Sequence, residues 1–272
     1  MAGIPHVATG PLLQAVEDGV LRITLNRPER ANAILPEQRN MMIDLLQQAS
    51  ADPEIRAVIL EATGKVFCAG ADLTTIGNAT ASMDRRHGDG MRRVMTGAQR
   101  LITAILDCEK PVVAALQGTA AGLGAQIVLA CDLIIASEAA SFTETFVKQG
   151  ILFDSAGAWL LPRRIGMAKA KELVFFGDKL SAADALAIGL FNKVVPPDEL
   201  AACVNDYARR LAEAPTLVIG FAKRLLNQSF DMSRENALFQ EASLVEIVSW
   251  TDDFKEGMRA FGEKRRPAFK GA

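Results

Sequence analysis

The chain has 272 residues, half of them hydrophobic, so it can bury a large core and form one large domain with an appendage. Its formal net charge is −2 at pH 7, and the 30 Lys and Arg residues are spread along the chain, which argues against a nucleic-acid partner held by charge. With no run of about 18 apolar residues and no basic-then-apolar leader, the sequence predicts a soluble protein of the cytoplasm that binds no membrane.

The N-terminal third is predicted to alternate strands and helices. Residues 1–18 are predicted to be a loose lead-in that ends in a turn at Gly19. The strand-like segment Val20–Leu25 follows and stops at Asn26-Arg27-Pro28. Pro36 then opens a helix whose apolar residues repeat at helical spacing, and residues 57–61 form another short strand.

Two glycine turns stand between predicted strands and helices. Residues 67–73 read Phe-Cys-Ala-Gly-Ala-Asp-Leu, and residues 120–126 read Ala-Ala-Gly-Leu-Gly-Ala-Gln. The second turn lies between a buried strand at 111–116 and a short helix that runs to Cys131, with a further strand at 132–136. The first N–H groups of a helix lack internal partners, so such a turn can hold an anion or a developing oxyanion. Tight packing alone would also explain the glycines.

Two segments lie between the two glycine turns. Residues 74–93 are polar and contain three glycines, which is typical of a covering loop or of a solvated connector. From Met91 to Leu106 the apolar residues give a single helical face, which core packing explains.

The C-terminal half continues the alternation and then becomes helical. Asp154 precedes a predicted short helix at 155–163, where it would serve as an ordinary N-cap, and Ser181 caps a helix at 181–190. Helices are then predicted at 199–214, 216–229, 235–250 and 253–264. Their surplus of apolar residues indicates packing between subunits. We therefore expect an α/β domain at 1–197 and a helical region at 198–272.

The cysteines and histidines limit the chemistry. The four cysteines are Cys68, Cys108, Cys131 and Cys203. They form no Cys-x-x-Cys pair, which predicts reduced thiols rather than disulfides. His6 and His87 give poor support to a Ser-His-Asp triad, and no residues have the spacing of metal ligands, so no metal is expected. Two N–H-presenting turns and a few carboxylates remain. They suit stabilising a thioester oxyanion while a carboxylate moves a proton.

Five stretches of the chain resemble the crotonase (enoyl-CoA hydratase/isomerase) superfamily. They are Leu-Asn-Arg-Pro-Glu-Arg-Ala-Asn-Ala at 25–33, the turn at 67–73, the segment 111–132, the segment 180–195 with Ala-Leu-Ala-Ile-Gly-Leu-Phe-Asn-Lys-Val-Val, and Phe-Lys-Glu-Gly-Met-Arg-Ala-Phe at 254–261. The resemblance covers about residues 12–269. It implies a spiral of β-β-α repeats and a helical C-terminal part that builds homotrimers or dimers of trimers. It also implies an acyl-CoA substrate, with no cofactor beyond its CoA moiety.

The same resemblance assigns roles to individual residues. The backbone N–H groups of Ala71 and Leu123 would hold the thioester oxygen, with Leu123 standing where the family usually has glycine. The predicted substrate-binding residues are Arg30, Ala31, Ala69, Asp72, Leu73, Phe146, Phe261 and Lys264. Phe261 and Lys264 are expected to act from a neighbouring subunit, and Phe146 to line an apolar acyl pocket.

The sequence departs from the family's hydratases at their two catalytic glutamates. Gln126 and Phe146 occupy those positions, and neither side chain can exchange a proton, which puts the usual water addition in doubt. Asp154 lies where isomerases and aryl-CoA dehalogenases of the superfamily carry a functional aspartate, so it is the predicted acid/base. Glu144 is a second candidate acid, or a solvated residue near a strand end.

The sequence therefore supports several functions in a definite order. Enoyl-CoA double-bond isomerisation through Asp154 comes first. An enoyl-CoA hydratase with atypical acid/base residues, Asp154 or Glu144, comes second, and a dehalogenase ranks below both because the flanking residues fit less well. A non-catalytic acyl-CoA-binding member of the family is the alternative outside the enzymes.

Overall fold

The computed structural model describes residues 4–72, 74 and 87–271. In these residues the strands are β1 (Leu12–Glu17), β2 (Val20–Leu25), β3 (Ala57–Ala62), β4 (Val66–Cys68), β5 (Val112–Leu116), β6 (Thr119–Ala121), β7 (Leu133–Ser137), β8 (Ser141–Thr143), β9 (Leu180–Ser181) and β10 (Lys193–Val195). The helices are α1 (Pro36–Ala51), α2 (Asp89–Thr96), α3 (Ala98–Asp107), α4 (Leu123–Ala130), α5 (Gly157–Ile165), α6 (Met167–Phe176), α7 (Ala182–Ala187), α8 (Leu200–Ala212), α9 (Thr216–Gln228), α10 (Arg234–Ser249) and α11 (Asp252–Glu263). None of the described helices is long and apolar enough to span a bilayer.

The strands form two sheets. The first has the order β1-β2-β3-β5-β7-β10 and is parallel except for the β1–β2 pair. The second has the order β4-β6-β8-β9, with β4, β6 and β8 parallel. A strand of the first sheet is followed by a short strand of the second and then by a helix, as in β5-β6-α4. This confirms the predicted α/β architecture of β-β-α repeats, and it sets the carboxyl ends of β4, β6 and β8 side by side.

Alternate residues of the first sheet face two different cores. In β3, Val58 and Leu60 pack with α1, α3 and α4, whereas Ala57 and Ile59 pack on the other face against α8. Such strands are buried on both faces, which explains their continuous apolar sequence. Helix α8 lies beyond residue 198 yet covers the first sheet, and the division of the chain at that residue stays a prediction.

The predicted loose lead-in is wrong from residue 12 onward. Residues Leu12–Glu17 form β1, which pairs antiparallel with β2 across the tight turn at Asp18 and Gly19, both with positive φ. The sequence pattern did not predict this strand because Gln14, a polar residue, occupies an inward position. Its amide is buried and donates to the carbonyl oxygen of Pro5 at 2.9 Å. The Asp-Gly turn was the available signal of a hairpin.

The single helix predicted from Met91 to Leu106 is also wrong. It is two helices, α2 and α3, which meet at Gly97, where φ is −111° and ψ is −100°. The other predicted helices and strands form within a few residues of their expected bounds. At α7, Ser181 accepts a hydrogen bond from the N–H of Asp184, as its capping pattern predicts. All four cysteines are free.

Candidate active site

The two glycine turns touch each other at the carboxyl ends of β4 and β6. A Cβ atom added to Gly70 would lie 3.3 Å from the carbonyl oxygen of Ala121 and 3.4 Å from the backbone nitrogen of Leu123. Gly70 also has φ of +114°, which a side chain rarely permits. The turn at Gly70 therefore lies directly against the start of α4.

The backbone around Ala71 leaves its N–H group free. The N–H of Ile34 donates to the carbonyl oxygen of Gly70 at 2.8 Å, and the N–H of Asp72 donates to the carbonyl oxygen of Ile34 at 3.0 Å. Ala71 stands between these two bonds in an extended bridge, so its own N–H points to the opposite side. Within the described residues, this N–H has no acceptor.

Leu123 presents the second N–H group that has no acceptor in the described part of the chain. It is the first residue of α4, and Gly122 precedes it with φ of +53°. An N–H in the first turn of a helix has no intrahelical acceptor and lies at the positive end of the helix dipole. A Cβ atom on Gly124 would lie 2.4 Å from the carbonyl oxygen of Cys68, so only glycine lets α4 start this close to β4.

Cys68 is part of this contact but cannot act as a nucleophile. Its side chain is fully buried, and burial raises the pKa of its thiol to about 12. The thiol therefore stays protonated, since the thiolate is the reactive form. Its Sγ atom accepts a hydrogen bond from the N–H of Gly70 at 3.4 Å, which helps to fix the turn.

Asp154 lies in the loop before α5, and it is not an N-cap. The N-cap of α5 is Ala156, which has no capping side chain, so the ordinary structural explanation for Asp154 is wrong. The half-buried Asp154 carboxylate accepts a 2.7 Å hydrogen bond from the Ser155 hydroxyl. Ser155 and Ala156 have φ of 54° and 67°, a left-handed conformation that costs about 1–2 kcal/mol per residue. The surrounding structure thus holds Asp154 on a strained loop.

Glu144 is buried, contrary to its possible role as a solvated residue. It follows β8, its relative exposure is 1%, and the Gln126 Nε2 group donates to its two carboxyl oxygens at 3.0 and 2.9 Å. Burial raises the pKa of Glu144 to about 7, the Gln126 hydrogen bond opposes this shift, and the charge of Asp154 adds to it. The sequence showed no sign of this burial, because α4 and the segment after α6 close over Glu144 only in the folded chain.

Three of the predicted binding residues lie at the mouth of the Gly70 turn. Arg30 and Ala69 are exposed, and Ala31 is half-buried with φ of 50°. The N–H of Ala69 donates to the carbonyl oxygen of Ala31 at 3.0 Å, which joins the two segments. The structure therefore brings these three residues together beside Ala71.

Asp72 is buried and takes part in fixing the same turn. Its carboxylate accepts hydrogen bonds from the Thr74 hydroxyl at 2.6 Å and from Arg27 at 3.1 Å. The pKa of Asp72 is lowered, first by the Thr74 hydroxyl and then by the bond to Arg27, against the effect of burial. Leu73 lies outside the described residues, as does most of the predicted covering loop.

The remaining predicted binding residues are farther along the chain. Phe146 is half-buried in the short 3-10 helix Thr145–Gln149, directly after Glu144. Phe261 is 83% exposed near the end of α11, and Lys264 ends that helix with φ of 54°. No group of three or more His, Cys, Asp or Glu that could hold a metal ion exists in the part of the chain that the structure describes.

Comparison with known proteins places this chain in a family. A model of the enoyl-CoA hydratase/isomerase family matches residues 15–272. The 1,2-epoxyphenylacetyl-CoA isomerase of Escherichia coli is 35% identical over 260 residues, which cover 96% of this chain and 98% of that protein. The (E)-benzylidenesuccinyl-CoA hydratase of Thauera aromatica is 36% identical over 264 residues, covering 96% and 100%.

A solved structure gives the same answer for the fold. The crystal structure of an enoyl-CoA hydratase from Bacillus anthracis has a TM-score of 0.89 to this chain at 31% identity, and covers 97% of this chain and 100% of that one. The match is nearly complete in both directions, and the sequence resemblance is confirmed. The chain belongs to the enoyl-CoA hydratase/isomerase family of enzymes.

Proposed function

We propose that the protein moves the double bond of an enoyl-CoA thioester. The N–H groups of Ala71 and Leu123 bind the thioester oxygen, and Asp154 removes a proton from one carbon and returns it to another. The observation that carries this proposal is the contact between the Gly70 turn and the start of α4, because the N–H groups of Ala71 and Leu123 belong to these two segments and have no acceptor among the described residues. The reaction uses no cofactor beyond the CoA moiety.

The chemistry follows from where the charge develops. When Asp154 takes the proton, the electron pair of the broken C–H bond delocalises onto the thioester oxygen. Two N–H donors that already point at this oxygen stabilise the charge without reorganisation. When the proton returns to the other carbon, the pair leaves the oxygen and forms the shifted double bond. One carboxylate is therefore enough for the isomerisation.

Hydration is the second candidate, and Glu144 is the observation that favours it. A hydratase needs groups that deprotonate and position water, and Glu144 is a second carboxyl group beside Asp154. The relative from Thauera aromatica is named a hydratase, whereas the relative from Escherichia coli is named an isomerase. Isomerisation ranks first because Gln126 and Phe146 replace the two glutamates of the usual hydratase route.

We further propose that the active form is a homotrimer or a dimer of trimers. Helices α10 and α11 and the turn between them carry large exposed apolar side chains, among them Phe239 at 74%, Trp250 at 74% and Phe261 at 83% exposure. A monomer rarely leaves such a surface in water.

The predicted binding residues would act from two subunits of this assembly. Phe261 and Lys264 would contact the CoA moiety bound by a neighbouring subunit. The CoA moiety in their own subunit would be contacted by Arg30, Ala31, Ala69, Asp72 and Leu73. Phe146 would line the acyl pocket. The proposed localisation of the protein is the cytoplasm.

The test is proton exchange in D₂O. The protein and its Asp154→Asn variant are incubated with a panel of 2-enoyl-, 3-enoyl- and aryl-CoA thioesters, and the products are measured by mass spectrometry. We expect double-bond migration with deuterium uptake, lowered about 100-fold or more in Asp154→Asn. The exposed Asp198, changed to Asn, is the matched control, and it should keep the full rate.

Two results would contradict the proposal. Gain of one water molecule at a rate that Asp154→Asn leaves unchanged would favour hydration through Glu144. Tight binding of the thioesters with no change in any of them would indicate a non-catalytic binder.

A further inference from the structure

Gln126 has one end of its amide bonded and the other end free. Its Nε2 group donates to both carboxyl oxygens of Glu144, while its Oε1 atom, also buried, has no hydrogen-bond partner among the residues that the structure describes. A buried amide oxygen without a donor is unfavourable because the atom has lost its hydrogen bonds to water. Such a group in an active site is a candidate for a change of partner.

The Gln126 amide lies against the start of α5. Gln126 lies one helical turn after Leu123 on α4, so the two share a face of the helix. A Cβ atom on Gly157 would lie 2.8 Å from both Nε2 and Oε1 of Gln126. Gly157 is three residues beyond Asp154. The amide is therefore held between the start of α4 and the loop that carries the predicted base.

The protonation state of Glu144 decides which end of the amide is free. An ionised carboxylate only accepts hydrogen bonds, so it binds the Nε2 group and leaves Oε1 without a donor. A protonated carboxyl group donates one hydrogen bond, which the amide oxygen accepts after a half-turn of the amide. Nε2 is then free to donate into the site. The two states differ in whether the site is offered an acceptor or a donor.

We propose that Glu144 is a positioning residue that acts through Gln126: protonated, it makes Gln126 present a donor beside the oxyanion turn, and ionised, it makes Gln126 present an acceptor. The inference rests on the proposed function, because a donor favours a reaction that builds negative charge on the thioester oxygen. An acceptor at the same place, together with a second negative charge beside Asp154, opposes that reaction. The protonated state is the active one.

The groups around Glu144 allow this change near neutral pH. Burial raises the pKa of Glu144 to about 7, and the charge of Asp154 contributes in the same direction. Helix α4 contributes the neutral Gln126 amide. Near Gly177, Lys148 of the 3-10 helix and Asp178 after α6 are exposed and pair with each other at 3.1 Å.

The first experiment is the pH dependence of turnover in the wild type and in Glu144→Gln. At pH 8 about one-tenth of a group with pKa about 7 is protonated, so kcat of the wild type should fall about tenfold from pH 6 to pH 8. A glutamine at 144 can donate to Gln126 Oε1 at every pH. In Glu144→Gln the ratio of kcat at pH 6 to kcat at pH 8 should therefore be about one. Glu138→Gln, at an exposed position after β7, removes the same charge and should keep the tenfold fall.

A second measurement needs no substrate and separates this inference from the proposed function. In the ¹⁵N-labelled protein, the Nε2 resonance of Gln126 should shift with a midpoint near pH 7, and the shift should be absent in Glu144→Gln. A pH-independent Gln126 resonance, or a folded Glu144→Gln variant with the wild-type fall in kcat, would overturn the inference. If the resonance titrates but Asp154→Asn still isomerises the substrate, the proposed function fails and the Glu144–Gln126 coupling stands.

Discussion

Two largely buried polar clusters lie at opposite ends of the strands, and their hydrogen bonds are satisfied to different degrees. The amino-end cluster joins Lys223 of α9 to Asp132, which precedes β7. The Lys223 Nζ group is 2.8 Å from Asp132 Oδ2 and donates to the carbonyl oxygens of Ile105 and Lys110 at 3.0 and 3.2 Å. The carboxyl-end cluster consists of Glu144, Gln126 and Asp154, and in the described part of the chain its Gln126 Oε1 atom has no hydrogen-bond partner.

The difference separates a structural cluster from a functional one. In the amino-end cluster all three protons of the ammonium group are used, and Asp132 also accepts a 2.7 Å bond from the N–H of Val112. Such a cluster fixes α9 to the rest of the fold. In the carboxyl-end cluster the Gln126 amide oxygen has no donor among the described residues, and the cluster adjoins the strained loop at Ser155 and Ala156. That combination is typical of a site that binds and transforms a ligand.

The largest expected effect is on the amino-end cluster. Lys223→Met leaves Asp132 without its counter-charge and two carbonyl groups without a donor. We expect the free energy of unfolding to fall by about 3–5 kcal/mol in urea denaturation, with little change in turnover of the folded fraction. Lys171→Met, at an exposed position, is the control. If the free energy of unfolding fell by less than about 1 kcal/mol, the amino-end cluster would not be a stabilising cluster, and the distinction between the two clusters would fail.

Removing one oxyanion donor should affect rate rather than stability. Leu123 is the first residue of α4, a position where proline is tolerated, so Leu123→Pro deletes the N–H and keeps the helix. We expect kcat to fall about 100- to 1000-fold relative to Leu123→Ala, which keeps the N–H. Equal rates in the two variants would exclude this N–H from the oxyanion site.

Burial of Glu144 should make stability depend on pH. Because its pKa rises from 4.5 to about 7 on folding, the folded protein binds more protons than the unfolded protein between these values. The free energy of unfolding therefore falls as pH rises through this range, by about 3 kcal/mol from this group. Urea denaturation at pH 4 and pH 8 measures the difference. Glu144→Gln should show a correspondingly smaller one, and an unchanged difference would mean that the carboxyl group ionises normally.

The smallest effect is expected at the hydroxyl group that holds Asp154. Ser155→Ala removes the 2.7 Å hydrogen bond to the carboxylate and leaves the left-handed backbone in place. We expect a fall in kcat of about tenfold, because a hydrogen bond to a charged group contributes about 1.5–3 kcal/mol and water replaces part of it. Ser181→Ala, which removes the cap of α7, should instead lower stability by about 1 kcal/mol and leave kcat unchanged.

Much of the fold could be predicted because its signals are local. The strand Val20–Leu25 and the helix that Pro36 opens depend on residue type and spacing within one segment. The glycine turns were equally readable, since Gly70 and Gly124 are required by contacts that permit no side chain. The hairpin of β1 was missed because Gln14 breaks the apolar alternation and finds its partners only in the folded chain.

The site could be predicted in its backbone but not in its electrostatics. The N–H groups at Ala71 and Leu123 follow from turns that are visible in the sequence. The environment of Glu144 does not, because residues 18 positions apart form its hydrogen bond to Gln126. The same holds for Asp154, whose position before a helix indicated a cap that the left-handed Ser155 and Ala156 prevent.

Because Gly124 packs closely against Cys68, the reactivity of the Cys68 thiol reports local opening of the site. A reagent can reach the buried Cys68 thiol only when β4 and α4 separate, and that movement also separates the Gly70 turn from Leu123. The rate at which Cys68 is alkylated in the native protein therefore measures how often the oxyanion site opens. A bound thioester, by bridging the two turns, should slow that rate in proportion to its occupancy.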